Sequence, residues 1–275
     1  MNYLVVKITD IDAEQLEILT AMLPEFGFHG MEEFENSITA YAPETECDVE
    51  LLHNYLKSTN LNYLLSEIPE QNWNAQWESN FDSVIIPGKI HVRAHFHPRL
   101  DGFEHEITIT PKMSFGTGHH ATTSMMMKAM IDLNFLGKSV LDFGTGTGIL
   151  AILAAQRGCD KVIAIDNDEW SINNTIENAE MNQVSELIDI RLADNLVDIP
   201  QSDIILANIN KHVLIAHVHA INTILNTNGN LILSGLLSTD YEDIITIYAP
   251  FFGMPLHVLE ENGWICIVFA NNNNS

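Results

Sequence analysis

Residues 140–150, VLDFGTGTGIL, carry an apolar strand-like run into an apolar helical one through three alternate glycines, Gly144, Gly146 and Gly148. Glycine lets the backbone turn sharply there and approach a bound molecule closely beside a helix N-terminus. A ligand site on a strand–turn–helix unit follows. The spacing is GxGxG; a dinucleotide fingerprint would need glycine at position 149, where Ile149 stands, so phosphate cradling is disfavoured.

From Gly137 onward strand and helix patterns alternate. Strands are expected at Ser139–Phe143, Lys161–Asp166, Leu187–Leu192, Ser202–Asn208 and Asn230–Ser234. One-face helices are expected from Ile172, Ile176 and Ala179, and from Leu214, Val218, Ile221 and Leu225. That order makes a parallel, doubly wound α/β sheet. Asn262-Gly263 between the apolar runs at 255–260 and 264–269 is a hairpin signal, so one edge of the sheet is expected to carry an antiparallel strand. Asp166 ends the second strand, where a carboxylate accepts hydrogen bonds from both hydroxyls of an adenosine ribose. It could also cap the helix that begins near Asn167–Trp170. Asp194, after the third strand, stands where either an adenine amino group or loop solvation would engage it.

Residues 1–68 read differently. Tyr3–Ile8 is apolar and β-branched, and Asp12 with Gln15 makes a capping-box start to a helix carrying Leu16, Leu19 and Leu23. Pro24 and Gly27 stop it. Phe28–Phe34 and Ser37–Tyr41 pair around Glu35-Asn36, Val49, Leu52 and Leu56 recur at helical spacing, and a last strand lies near Tyr63–Ile68. This βαββαβ order predicts a small ferredoxin-like α+β domain over 1–68. A linker region is expected over 69–95, with Trp73, Trp77 and Phe81 as the stripe of a connecting helix over 70–81, and the ligand-binding domain over 96–275.

Asp and Glu number 37 against 12 Lys and Arg, a net charge of −25, which repels phosphate backbones and attracts cationic partners. A general nucleic-acid binder is disfavoured. Within 84–109, alternation puts His91, Arg93, His95 and His97 on one strand face. With no carboxylate or cysteine at ligand spacing and Arg93 among them, that face reads as solvated rather than as a metal site. His212, His217 and His219 share a helix without an HExxH arrangement, so no metal is expected. Cys47, Cys159 and Cys266 form no CxxC pair and fit reduced thiols. No apolar run reaches the roughly 18 residues of a membrane span and the N-terminal stretch lacks a leader pattern, so the chain is expected in the cytoplasm.

The GxGxG turn, the acidic end of the second strand and the terminal antiparallel strand together resemble a class I methyltransferase using S-adenosylmethionine. That cofactor has a carboxylate suited to a helix N-terminus and a sulfonium that an acidic site tolerates, but no phosphate. Three more segments, NWNAQW (72–77), MSFGTGHHATT (113–123) and ILANIN (205–210), resemble the family of bacterial methyltransferases of ribosomal protein L11, and the resemblance covers essentially the whole chain. It implies a seven-stranded Rossmann-like methyltransferase sheet with an antiparallel last strand, behind a ferredoxin-like domain that holds the substrate. By motif it places cofactor contacts at Thr123, Gly144, Asp166 and Asn208, beside Gly146 of the turn, with Phe115 and neighbouring glycines forming a loop over the site. It assigns no catalytic residue. The usual loop resembles DPGxAFGTGTHPTT; here Thr110, Lys112, His119 and Ala121 stand at its first, third, tenth and twelfth places.

The implied activity is methyl transfer from S-adenosylmethionine to lysine side chains, and an N-terminal α-amine, of ribosomal protein L11. The resemblance also implies a monomer, with no nucleic-acid or membrane partner. ANIN lacks the ProPro pair of the NPPY-like enzymes that methylate base amines or glutamine amides, so a different amine is implied. A lysine of pKa about 10.4 gives up its proton at pH 7 at a cost of about 4.6 kcal/mol, an α-amine near 7.8 at about 1 kcal/mol. No general base is assignable from the sequence, so desolvation and alignment are expected to carry the step. The other readings are a methyltransferase of another basic protein or of RNA, a dinucleotide oxidoreductase, and a noncatalytic cofactor-binding module.

Overall fold

The structure, a computed structural model, describes residues 3–28, 30–59, 61–68, 82–110 and 115–271. The chain divides into two compact units, Met1–Phe81 and Asp82–Ser275.

In the first unit β1 (Tyr3–Thr9), α1 (Ala13–Met22), β2 (Gly30–Phe34), β3 (Ser37–Pro43), α2 (Val49–Ser58) and β4 (Asn62–Ile68) follow in the expected order. The strands form an antiparallel sheet in the order β2-β3-β1-β4, the ferredoxin-like arrangement. Alternation decides which face is covered: Leu4, Val6 and Ile8 of β1 and Ile38, Ala40 and Ala42 of β3 pack with Leu19, Leu52 and Leu56 of the helices. The capping box at α1 is present, Gln15 N–H donating to Asp12 Oδ1 at 2.8 Å and Asp12 N–H to Gln15 Oε1 at 3.0 Å. The helix expected over 70–81 lies outside the described residues.

The second unit opens with β5 (Val84–Ile86), β6 (Ile90–Arg93) and β7 (His105–Thr108), a three-stranded sheet. There follow α3 (Ala121–Ile131), β8 (Ser139–Phe143), α4 (Ile149–Gln156), β9 (Lys161–Asp166), α5 (Glu169–Met181), β10 (Ile188–Leu192), β11 (Ser202–Asn208) and α6 (Lys211–Ile224). The chain ends on β12 (Leu225–Leu237), α7 (Tyr241–Phe252), β13 (His257–Glu261) and β14 (Trp264–Ala270). The seven strands of the large sheet run β10-β9-β8-β11-β12-β14-β13, all parallel except β14. Successive strand residues point to opposite faces, so Val140 packs with Met126 and Ile152, and Leu141 with Leu214 and Tyr248. Strand order reverses between β8 and β11, which opens a crevice at their carboxyl ends.

Three expectations are corrected. The antiparallel strand sits one place in from the rim, because Ile265–Phe269 is buried on both faces and needs a neighbour on each side, whereas the half-exposed β13 tolerates the edge. Residues 84–93, placed in the 69–95 linker, instead form β5 and β6, which pair with each other, β6 pairing also with β7. The histidine face of β6 is not solvated: His91 is fully buried and Arg93 nearly so, because β7 lies alongside and Phe103 covers the imidazole with ring centroids 5.3 Å apart. Glu106, opposite His91 in register, pairs with Arg93 and Arg99 at 3.1 Å each. The strand stops at Arg93, and His97 Nδ1 accepts the Ala94 N–H at 3.1 Å. Among the described residues no helix is long and apolar enough to cross a membrane, and no three His, Cys, Asp or Glu side chains gather as a metal site.

Burial holds the His91 imidazole below its ordinary pKa; Glu106 opposes that shift, and Arg93 and His97 add to it. The unfolded chain takes up this proton near pH 6.5 and the folded chain only at lower pH, so stability is present above about 6.5 and declines as the pH falls below it. Urea denaturation at pH 7.5 and pH 5 is expected to show a smaller acid loss of stability for His91→Leu than for the wild-type chain.

Candidate active site

The crevice at the reversal point is floored by the glycine turn. Gly144 has φ +78°, and a Cβ there would lie 2.2 Å from Ile209 Cγ2; Gly146 has φ +57°, and a Cβ would lie 2.3 Å from the Phe115 carbonyl oxygen. Both positions therefore need glycine for handedness and for room. The N–H groups of Gly144 and Thr145 donate to the Ile165 carbonyl at 2.9 and 3.0 Å, which ties the turn to the end of β9. Gly146 N–H donates to Asp166 Oδ2 at 2.9 Å, and Asp168 N–H to Asp166 Oδ1 at 3.1 Å. Asp168, not Asp166, caps α5, accepting the N–H groups of Trp170 and Ser171 at 3.2 and 3.3 Å. Asp166 lines the crevice with lone pairs left over for a ligand.

The FGTG segment is laid over the turn. Thr147 donates its N–H to Phe115 O at 3.0 Å and its hydroxyl to Gly116 O at 2.5 Å. The Phe115 ring stands edge-on to His120 with centroids 5.3 Å apart, and His120 stands edge-on to Trp264 at 4.8 Å. All three rings line the same cavity. His120 Nδ1 lies 2.7 Å from the Thr122 hydroxyl and 3.3 Å from the Thr122 N–H, so the first turn of α3 holds the ring in place. His119 bonds elsewhere, to Asp82 O at 2.8 Å and Thr117 Oγ1 at 3.1 Å. Positions 111–114, Lys112 included, lie outside the described residues.

Asn208 ends β11 on the far side of the crevice. Its Nδ2 donates to Thr123 Oγ1 at 3.3 Å, while its Oδ1 is buried and has no hydrogen-bond partner among the described residues. Gly144, Gly146, Asp166 and Asn208 thus share one cavity of about 420 Å³, as does Asp194. Thr123 is buried on α3 behind Asn208 and is not part of the wall. The volume suits a small-molecule ligand. No Lys or Arg is among the described lining residues, whereas two carboxylates and an unpartnered amide oxygen are. That donor set fits a cationic, hydroxyl-bearing ligand without phosphate, as S-adenosylmethionine is. Reasoning from sequence did not single out His120 and Trp264; the HisHis pair after FGTG was a signal for the first, and nothing local marked the second.

Beneath the turn, Asp142 is fully buried. Its Oδ2 accepts the Thr145 hydroxyl at 2.7 Å and the Ala151 N–H of α4 at 3.2 Å, and its Oδ1 has no partner among the described residues. Burial pushes its carboxyl up to about 7 against these two hydrogen bonds, and the Asp166 charge adds to the rise. In the unfolded chain the group ionises near pH 4, so its contribution is intact below about pH 4 and is lost as the pH rises through 7. Denaturation midpoints from pH 4 to 9 are expected to show the wild type losing stability relative to Asp142→Asn as the pH rises to about 7, with a flat difference above about pH 8.

The family model described as ribosomal protein L11 methyltransferase (PrmA) matches residues 6–272 of this chain. The ribosomal protein L11 methyltransferase of Porphyromonas gingivalis is 42% identical over 263 residues, which span 92% of this chain and 90% of that protein. The protein of the same name from Phocaeicola vulgatus is 34% identical, spanning 98% of this chain and 99% of its own. Among solved structures, the crystal structure of ribosomal protein L11 methylase from Lactobacillus delbrueckii subsp. bulgaricus superposes with a TM-score of 0.64 at 25% identity, covering 70% of this chain and 100% of that one. With a glycine turn, an acidic strand end and an unpartnered amide oxygen sharing one cavity, and with a family match along nearly its full length, the chain belongs to the ribosomal protein L11 methyltransferase family.

Proposed function

We propose that this chain transfers methyl groups from S-adenosylmethionine to amines of ribosomal protein L11, both lysine side chains and the N-terminal α-amine. The observation that carries this reading is the buried, unpartnered Oδ1 of Asn208 in the same cavity as the Asp166 carboxylate. An acceptor buried without a donor is costly and calls for an N–H from a ligand. Asp166 would accept the ribose hydroxyls, Gly144 and Gly146 would let the backbone approach the cofactor, and Thr123 would orient Asn208 from behind. When bound, S-adenosylmethionine supplies an electrophilic methyl: the amine lone pair forms the N–C bond as the C–S bond breaks and sulfur keeps the electron pair.

The protein's share of that reaction is to hold, align and dry the amine. Phe115, His120 and Trp264 line the cavity with rings that displace water from the amine and align it with the methyl group. Desolvation and alignment carry the loss of the amine's proton ahead of transfer. The net charge of −25 supports a basic protein as acceptor over RNA. The chain works as a cytoplasmic monomer, with its ferredoxin-like domain over 1–68 holding the substrate and a linker from residue 69 leading to the cofactor domain, to which β5 and β6 belong.

Asp166→Ala is expected to weaken binding of S-adenosylhomocysteine at least about tenfold in calorimetry, since hydrogen bonds to a charged group are worth about 1.5–3 kcal/mol each. Unchanged affinity would remove the ribose assignment. Incubation with S-adenosylmethionine and separated ribosomal components is expected to raise the intact mass of ribosomal protein L11 in steps of one CH₂; label appearing in RNA alone would refute the proposed acceptor.

A further inference from the structure

Helix α5 buries a row of polar side chains beside its apolar stripe. Ala179 of the Ile172, Ile176, Ala179 stripe is buried but Ile176 is 41% exposed, while Ser171, Asn174, Thr175 and Asn178 are buried. The hydrogen bonds explain the buried polar row. Asn178 Oδ1 accepts the Thr110 N–H at 2.8 Å, and its Nδ2 donates to the Thr147 carbonyl at 2.7 Å and to Asn174 Oδ1 at 3.2 Å. Thr147 in turn holds Phe115 through its N–H and Gly116 through its hydroxyl. A single buried amide therefore secures both ends of the stretch from Thr110 to Phe115, one directly and the other through one residue of the glycine turn. Thr175 adds a bond to the Gly146 carbonyl at 2.9 Å. With the Gly146 carbonyl drawn to α5, the N–H of the same peptide, that of Thr147, points the other way to Phe115, while the Gly146 N–H bonds to Asp166.

We propose that Asn178 and Thr147 form a positioning relay that fixes Phe115 and the FGTG segment against the glycine turn, and that cofactor affinity depends on this relay. Neither residue lines the cavity; both act through Phe115 and Gly146, which do. The inference rests on the reading of that cavity as the S-adenosylmethionine site. Asn182 supplies an internal comparison. It grips β7 just as firmly, its Oδ1 accepting the Thr108 N–H at 2.8 Å and its Nδ2 donating to the Thr108 carbonyl at 2.6 Å. Its one further side-chain bond among the described residues, to the Asn178 carbonyl, stays within α5 and its cap and does not reach the turn.

The test compares Asn178→Asp with Asn182→Asp in the full-length chain. Each exchange keeps side-chain volume and the acceptor for the Thr110 or Thr108 N–H while replacing the donor with an oxygen that faces a carbonyl. S-adenosylhomocysteine affinity by calorimetry, with KM for S-adenosylmethionine and kcat, is measured on chains shown to be folded by their melting transitions. Asn178→Asp is expected to weaken binding and raise the cofactor KM about tenfold or more, with a smaller change in kcat, as misplacement of a site by a fraction of an ångström does. Asn182→Asp is expected to stay within about threefold of wild type, because whatever stability it loses is not transmitted to the turn. Wild-type affinity in Asn178→Asp, or equal losses in both variants, overturns the relay. If Asn178→Asp does not fold, Thr147→Val, which removes only the bond to Gly116, must raise the KM likewise, and an unchanged KM overturns it. A wild-type chain that fails to bind S-adenosylhomocysteine would instead sink the cofactor reading itself.

Discussion

Two hydrogen bonds to one carboxylate hold the chemistry of this molecule in place: Gly146 and Asp168 donate to opposite oxygens of Asp166. Bonds to an ionised acceptor are among the stronger ones in proteins. These two join the loop after β8 to the end of β9, at the point where the sheet reverses its strand order. Had Asp166 capped α5, its oxygens would have been spent on the helix. Asp168 takes that task two residues later, and the division of labour leaves a carboxylate aimed into the crevice.

A turn of bare backbone exposes peptide groups that must be paired once they are buried. Here the partners come from three directions. Phe115 and Gly116 supply carbonyls from above, Asp142 holds Thr145 and the start of α4 from below, and Thr175 and Asn178 of α5 take up the turn's own carbonyls. Two buried oxygens lack partners at this centre, and they differ in meaning. Asp142 Oδ1 is in the core, where burial shifts the acid toward its neutral form, whereas Asn208 is a residue of the cavity wall.

Much of this was legible in one dimension. The Asp12–Gln15 capping box, the βαββαβ order, the strand ends at Phe143, Asp166 and Asn208, and the face of α6 carrying Leu214, Val218 and Ile221 all stand where spacing put them. The failures share a cause. On α5 the apolar stripe has genuine helical periodicity and its Ala179 is buried, yet Ile176 is exposed, because the face beside it is turned inward by hydrogen bonds to Thr110, Thr147 and Gly146. On β6 the alternation placed His91 and Arg93 on the same side, but whether that side met water depended on β7 and Phe103. Pattern reading weighs hydrophobic burial alone and has no term for a partner that arrives from elsewhere in the chain.

The sequence by itself determined where the backbone turns, where helices start and where an acid follows a strand, because dihedral freedom, capping and periodicity are settled between near neighbours. Tertiary structure alone decided that Trp264 would join Phe115 and His120, that Thr123 would stand behind Asn208, and that Asn178 would grip the turn. Those side chains are far apart along the chain, and no local preference of either partner records that they will meet. Their contacts exist only once the sheet has ordered its strands and closed the distance between them.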